Sequence, residues 1–327
     1  MFMFRALKQQ FYILYRLSRK VEGKALLLYH AKRMSLQKPQ KTRIVFCCNG
    51  AIIHGGLVDR LNGIITFYDV AQQLDAEFYI QYTHPIALSQ YWAPNQVKWE
   101  NNSIRFNPFR DRILLKISHK VPKKENPVQW IDTSKPRTYF VYANANLLMA
   151  MHNLPTREDL FDLWQKHFNA LFAPTEKLTQ ALNALPTGDY RVCHLRFLGI
   201  LGEFNEANRR HLTEPEVTEL LARIDTKIDE LLVTYPDMPL YVLSDSPRFL
   251  AHIEKHPGVL VLPGKPKHID LESRENSDEE NLKTFTDFHF MGRSKRLFAL
   301  VMPPLYGSGF ARVAALQHNV PYMAITE

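Results

Sequence analysis

"RIVFCCNGAIIHGGLVDRLNGIITFYDVAQQLDAEFYIQY", residues 43–82, has the order strand, glycine loop, helix, strand. Residues 44–48 form a continuous apolar run, which is typical of a strand whose sheet is covered by helices on both faces. After Gly56, apolar residues recur at helical spacing as far as Tyr68. This alternation predicts a βαβ unit in a parallel sheet.

The second half of the chain repeats the alternation. Five strand-like runs begin near residues 190, 240, 258, 296 and 321, and helical patterns separate them. The sequence therefore predicts an α/β fold with two doubly wound, Rossmann-like domains. The expected divisions are an N-terminal segment (1–42), a first domain (43–185) and a second domain (186–327). Residues 85–136 are expected to form surface loops and short elements.

Length and composition agree with two folded domains, since 327 residues exceed the usual size of one and 46% of them are hydrophobic. The three cysteines, Cys47, Cys48 and Cys193, lie in apolar strand-like runs without CxxC spacing. This pattern disfavours a disulfide framework and a structural zinc, and it favours the reducing cytoplasm.

The positive charge is concentrated at the N-terminus. Residues 1–43 hold eleven Lys and Arg residues and one acidic residue, while the rest has 30 basic and 32 acidic residues. Phe4, Leu7, Phe11 and Leu14 recur at helical spacing among these charges. Such a basic amphipathic helix either lies on an anionic membrane surface or packs on the protein's own body. No nucleic-acid partner, signal peptide or spanning helix is expected.

Two strand ends carry residues suited to phosphate. Gly55 and Gly56 either bring backbone N–H groups close to a phosphate or make a tight turn, and their spacing is neither GxGxxG nor a P-loop. His194 and Arg196, in "HLR", fall on one side of a strand end. Arginine offers a fixed fork for phosphate oxygens, and the pair favours a ligand over a structural role.

Two further strand ends lead into helices. In "LSDS", Asp245 and Ser246 either contact a nucleotide or cap the next helix. In "GSGF", Ser308, Gly309 and Phe310 stand at a helix start, where backbone N–H groups bind an anion or the serine serves as a cap. Ligands of doubly wound proteins bind at the carboxyl ends of strands, so these positions form the candidate site.

Taken in order, the Gly-Gly loop, "HLR", "LSD" and "DFHFMGRSKRLFALVMPPLYGSGFARVAAL" (287–316) resemble the GDP-fucose-dependent fucosyltransferase superfamily. That group includes protein O-fucosyltransferases, α-1,6-fucosyltransferases and bacterial nodulation fucosyltransferases. The resemblance spans residues 43–317 and implies a GT-B fold with the donor between two Rossmann-like domains. The first domain would face the acceptor, and the second would bind the nucleotide sugar.

The resemblance also implies roles. Arg196 would bind the β-phosphate and stabilise departing GDP, and His194 would contact the nucleotide. Asp245 or Ser246 would hold guanine or ribose. Three residues would grip the pyrophosphate through backbone N–H groups: Ser308, Gly309 and Phe310. The chain departs from the family's H-x-R-x-G-D motif, because its own sequence is "HLRFLG".

The expected function is inverting, metal-independent transfer of fucose from GDP-fucose to a glycan in bacterial surface polysaccharide synthesis. The protein would be cytoplasmic and peripheral at the inner face of the membrane through residues 1–34, and the body is expected to fold without them. Glu203 is the expected catalytic base, with Glu206 second and a solvated loop glutamate as the alternative. A GT-B enzyme with another nucleotide sugar, a non-catalytic glycan-binding or sugar-nucleotide-binding protein, and a membrane-bound scaffold remain open.

Overall fold

The computed structural model describes residues 21–32, 34–117, 125–154, 156–203, 210–265 and 276–326. The stretch from Phe4 to Leu14 and the alternative base Glu206 lie outside the described residues.

The chain divides into two compact units. The N-terminal unit contains residues 1–89 and 94–155, and the C-terminal unit contains residues 90–93 and 156–327. Residues 156–185, which the sequence pattern placed in the first domain, group with the second unit.

The N-terminal unit has a four-stranded parallel sheet in the order β2-β1-β5-β4. The strands of this sheet are β1 (Arg43–Cys48), β2 (Glu77–Tyr82), β4 (Arg112–Lys116) and β5 (Thr138–Ala143), while β3 (Trp92–Pro94) is not part of it. The helices are α1 (residues 21–31), α2 (Leu57–Gln73) and α3 (Leu148–His152). The βαβ unit predicted from residues 43–82 is therefore present as β1, α2 and β2.

Strand β4 is one of the short elements that the sequence indicated over residues 85–136 without placing them. It pairs with β5 along the edge of the sheet, with Ile113 opposite Phe140. Only three apolar residues stand between Arg112 and Lys116, which is too short a run to display a strand period.

Both faces of this sheet are covered. Helix α2 approaches β5 closely at Gly63, where an added Cβ would lie 2.5 Å from the carbonyl oxygen of Ala143. On the opposite face, Leu26 of α1 packs into a core with Val45 and Tyr142. Because Leu26 is fully buried, α1 packs on the folded body, and removing residues 1–34 would expose part of this core. That the body folds without these residues stays a prediction.

The C-terminal unit has a five-stranded parallel sheet in the order β11-β10-β7-β8-β9, and β3 pairs with β6 in a separate ribbon. Its strands are β6 (Phe172–Pro174), β7 (Arg191–Leu195), β8 (Leu240–Ser244), β9 (Val259–Val261), β10 (Arg296–Leu300) and β11 (Tyr322–Ile325). Its helices are α4 (Arg157–Leu171), α5 (Glu176–Asn183), α6 (Glu214–Thr234), α7 (Pro247–Ile253), α8 (Asp278–Gly292) and α9 (Gly309–Ala315). These strands and helices match the expected second doubly wound unit.

Strand β7 is the centre of this sheet, and a buried arginine fixes its start. Arg191 is 1% exposed and donates from Nε to the carbonyl of Met238 (3.0 Å) and from Nη1 to that of Leu231 (3.0 Å). Leu231 lies in the last turns of α6, whose carbonyl end favours a cation. These bonds hold the start of β7 against α6.

Candidate functional site

The strand order of the C-terminal unit reverses between β7 and β10. From β7 the chain continues to β8 and β9 on one side, and β10 and β11 lie on the other. Ligands of open α/β sheets bind at the carboxyl ends of strands at such a switch point. The loop after β10 bonds to the loop after β7 here, because the Tyr306 N–H donates to the carbonyl of Arg196 at 3.2 Å.

His194 lies on β7 in register with Leu243 of β8 and Ala299 of β10. Burial, with a smaller contribution from the charge of Arg196, lowers the pKa of His194 to about 3, so the imidazole is neutral at physiological pH. Its Nδ1 atom is buried and has no hydrogen-bond partner within the described ranges. An unsatisfied buried polar atom costs about 1–3 kcal/mol, and this cost marks a place where a ligand group would be favourable.

The start of α9 adjoins the same strand. The ring of Phe310 lies 6.0 Å from that of His194, centre to centre, and 5.5 Å from that of Phe288. Ser308 is buried, and its Oγ accepts the N–H of Ala311 at 3.1 Å.

The alternative roles proposed for Ser308 are compatible. Its side chain caps the helix, while the backbone N–H groups of Gly309 and Phe310 make no hydrogen bond to any residue in the described part of the chain. Nothing lies within 4 Å of a Cβ added at Gly309. Two unbonded N–H groups beside open space can donate hydrogen bonds to an anion.

Asp245 follows β8, but its carboxylate binds the loop after β7. Its Oδ1 accepts the N–H of Phe197 at 2.8 Å, and its Oδ2 accepts the N–H of Leu198 at 3.0 Å. Leu198 has a φ of +54°, a conformation that is rare for leucine and that these bonds help to hold. Asp245 therefore fixes the backbone immediately after Arg196.

Ser246 and Glu203 form a separate group at the start of α7. The Oγ of Ser246 accepts the N–H of Phe249 at 3.0 Å and donates to Oε2 of Glu203 at 2.7 Å. Oε1 of Glu203 accepts the N–H of Arg248. In this arrangement both residues cap α7, which is the alternative that the sequence left open for Ser246.

The two glycines of the first loop belong to the N-terminal unit, whereas the other eight predicted residues belong to the C-terminal unit. Gly55 has a φ of +84°, and an added Cβ would lie 2.3 Å from Oδ2 of Asp59, so this turn requires glycine. Gly56 precedes the first turn of α2 and has no side chain with which to cap it.

Two features of the switch point carry no signal in the sequence. Tyr306 joins the two loops by its backbone, and no side-chain pattern signals such a bond. Asp245 holds N–H groups 47 and 48 residues earlier in the chain, and only the strand order brings them together.

The described residues contain no group of three or more His, Cys, Asp and Glu side chains arranged to bind a metal ion. Over the same ranges, no helix combines the length and the apolar character needed to cross a membrane.

Comparison with solved structures shows a likeness to the crystal structure of NodZ α-1,6-fucosyltransferase soaked with GDP-fucose. The TM-score is 0.55 at 14% identity, over 85% of this chain and 93% of that chain. Another similar structure is apo POFUT1, with a TM-score of 0.44 at 13% identity, over 89% of this chain and 99% of that chain. No protein-family model matches the sequence, and no curated protein matches it significantly.

The chain is therefore an α/β protein that has the fold of the NodZ fucosyltransferase structure along most of its length. The resemblance inferred from the sequence motifs is confirmed at the level of fold.

Proposed function

We propose that the chain is a glycosyltransferase that moves fucose from GDP-fucose to a glycan acceptor, with inversion and without a metal ion. The two units would be the Rossmann-like domains of a GT-B enzyme, and the C-terminal unit would bind the donor. The observation that carries the proposal is the convergence of Arg196, the unpartnered Nδ1 of His194 and the unbonded N–H groups at the start of α9 on the β7–β10 switch point.

The chemistry of these groups fits a departing diphosphate. The guanidinium of Arg196 can form two parallel hydrogen bonds to phosphate oxygens. The N–H groups of Gly309 and Phe310 add fixed dipoles, and neutral His194 can donate or accept one hydrogen bond without adding charge. Together they would stabilise the negative charge that develops on GDP as the sugar bond breaks.

Glu203 remains the proposed base for the acceptor hydroxyl. In the described arrangement both of its oxygens bond to the start of α7, so catalysis would require the carboxylate to leave that position. Glutamine at position 203 could keep one capping bond but could not take a proton. Glu203→Gln should therefore lower kcat sharply with little loss of stability if Glu203 is the base, whereas unchanged kcat would assign it to capping α7.

The donor is tested by binding. GDP at 100 times its Kd should raise the free energy of unfolding by about 2–3 kcal/mol, measured by denaturant titration in EDTA. UDP, CDP and ADP at the same concentration serve as controls. Stabilisation by UDP but not by GDP would reject GDP-fucose as the donor and would indicate a donor with another nucleotide. Loss of GDP-fucose turnover in EDTA, restored by Mg²⁺ or Mn²⁺, would reject metal independence.

The release of GDP from GDP-fucose distinguishes an enzyme from a protein that only binds the donor. An enzyme should release GDP from GDP-fucose, slowly with water and faster with an acceptor glycan, whereas a sugar-nucleotide-binding protein would bind the donor and leave it intact. Bacterial surface polysaccharide synthesis is the proposed setting, and the acceptor that accelerates GDP release would identify it.

Attachment to an anionic membrane surface at the cytoplasmic face is also proposed, and one observation favours it. Large apolar side chains between residues 21 and 36 are more than half exposed: Val21, Leu27, Leu28, Met34 and Leu36. Exposed lysines stand among and just beyond them: Lys24, Lys32 and Lys38. Apolar side chains beside lysines are suited to a surface of anionic lipid.

The membrane proposal is tested with vesicles. A chain lacking residues 1–20 and the double variant Leu27→Ser/Leu28→Ser should each bind anionic vesicles less than the full chain does. Val233→Ser, another highly exposed apolar position, is the control. Equal binding of all forms, or equal binding to neutral vesicles, would reject the membrane role.

A further inference from the structure

The N-terminal unit contains a polar cavity at the carboxyl ends of β1 and β2. Cys47 pairs with Gln81 in the sheet, and the chain continues from these strands into Asn49 and Thr83, which line the cavity with Gln81. The last turn of α1 and the segment 102–106 complete the wall. The cavity thus lies where ligands of parallel sheets bind, and the proposed donor-binding residues do not line it.

Two side chains that line the cavity, Asn49 and His30, converge on the hydroxyl of Tyr142. The Asn49 amide donates from Nδ2 to the Tyr142 hydroxyl at 2.7 Å, and Nε2 of His30 lies 2.9 Å from the same oxygen. Burial lowers the pKa of His30 to about 4, so its ring is neutral. Whichever of the two atoms holds the proton in the His30–Tyr142 bond, Nδ1 of His30 is left as one donor or one acceptor.

Arg105 gives the cavity a positive charge. Its Nη1 donates to the carbonyls of Asn102 and Ile104, and no carboxylate within the described ranges forms an ion pair with it. Among the described residues, no aspartate or glutamate lines the cavity. A guanidinium without an acidic partner, among amide and hydroxyl groups, favours a ligand that carries one negative charge and several hydroxyls.

The aromatic lining and the volume of the cavity further restrict which ligands it can hold. Phe106 and Phe140 line the cavity and pack on His30, with ring centres 5.4 and 4.6 Å away. The cavity holds ≈ 90 Å³, less than the roughly 150 Å³ cavity that accommodates benzene. It therefore fits one end of a monosaccharide, a carboxylate and its neighbouring hydroxyls, and excludes a whole oligosaccharide.

We propose that this cavity binds an acidic sugar, a hexuronic acid residue of the acceptor glycan. Its carboxylate would bond Arg105, and its hydroxyls would bond Gln81, Thr83 and Nδ1 of His30. That the sugar belongs to the acceptor rests on the proposed function. Binding of an acidic sugar in this cavity does not depend on it.

The experiment titrates the full chain, without nucleotide, with glucuronate, glucose and glucose 6-phosphate and follows binding by ligand-observed NMR. Glucuronate should bind at least tenfold more tightly than glucose. Arg105→Gln should remove most of that preference. Arg112→Gln is the matched control, because Arg112 is exposed, also bonds backbone carbonyls and does not line the cavity.

Equal affinity for glucose and glucuronate, an unchanged preference in Arg105→Gln, or no binding of any sugar would overturn the proposal. Tighter binding of glucose 6-phosphate than of glucuronate would assign the cavity to a phosphate and overturn the uronate. GDP binding, measured on the same samples, keeps the two proposals separate. Glucuronate binding without GDP binding would reject the fucosyltransferase, and the reverse result would reject only the acidic sugar.

Discussion

At the scale of single residues, the side chains proposed to bind the donor at the switch point differ from those that hold the backbone. Arg196 contributes a charge, and its own carbonyl holds the loop after β10. A substitution at Arg196 changes the first property and leaves the second, because the carbonyl belongs to the backbone. The same distinction applies at Gly309, where the backbone N–H group is the group proposed to bind a phosphate.

Arg196→Ala should abolish most transfer and leave the fold intact. Losing a charge-assisted contact to the leaving diphosphate should raise the activation free energy by about 2–4 kcal/mol. We expect kcat to fall by roughly 30- to 900-fold and the thermal midpoint to move little. Arg210→Ala, which removes an exposed arginine paired with Glu216, is the control for charge. Near-normal kcat in Arg196→Ala would remove Arg196 from the reaction.

Gly309→Ala tests whether the start of α9 holds a phosphate. The new Cβ would meet nothing within 4 Å, so stability should be unchanged or rise by up to about 1 kcal/mol. If a phosphate approaches this N–H group, the methyl group should crowd it and weaken GDP binding by calorimetry. Gly23→Ala in α1, which also has open space around the new Cβ, should leave GDP affinity unchanged. Unaltered GDP affinity in both variants would place the phosphate elsewhere.

At the scale of elements, the sequence predicted the core strands and long helices because their apolar patterns are local. The pattern of residues 214–235 predicted α6, and the apolar run in "RLFALVM" predicted β10. Strand β4 could not be placed among the short elements expected over residues 85–136, because it has only three apolar residues. The roles of the polar residues could not be predicted equally well, since Asp245 looks the same in sequence whether it binds a nucleotide or a distant loop.

Asp245→Asn tests the link between β8 and the loop after β7. Asparagine has one carbonyl oxygen where the carboxylate has two acceptors, so one of the N–H groups of Phe197 and Leu198 loses its partner. We expect a loss of about 1–3 kcal/mol in the free energy of unfolding.

If the loop also positions Arg196, kcat should fall in Asp245→Asn while the change in KM stays small. Asp229→Asn on the exposed face of α6, where Asp229 pairs with His256, is the control. Lost stability with unchanged kcat would limit Asp245 to a structural role.

At the scale of the whole molecule, buried neutral histidines tie stability to pH. Burial lowers the pKa of His30 to about 4 and that of His54, His194 and His289 to about 3, with nearby positive charges contributing for the last three. In the unfolded chain each returns to about 6.5. Below pH 6.5 the unfolded state therefore binds more protons than the folded state, and the free energy of unfolding falls as the pH falls.

Between pH 7 and pH 5.5, each of these histidines should lower the free energy of unfolding by about 1 kcal/mol. The four together should lower it by roughly 4 kcal/mol. Above pH 7 they should have no effect. Denaturant titrations at both pH values measure the difference. His54→Gln should reduce it by about 1 kcal/mol, because glutamine binds no proton in either state, whatever the substitution does to stability at pH 7. His211→Gln, at an exposed position, is the matched control. If stability is the same at pH 7 and 5.5, or if His54→Gln leaves the difference unchanged, these imidazoles are not held neutral by the fold.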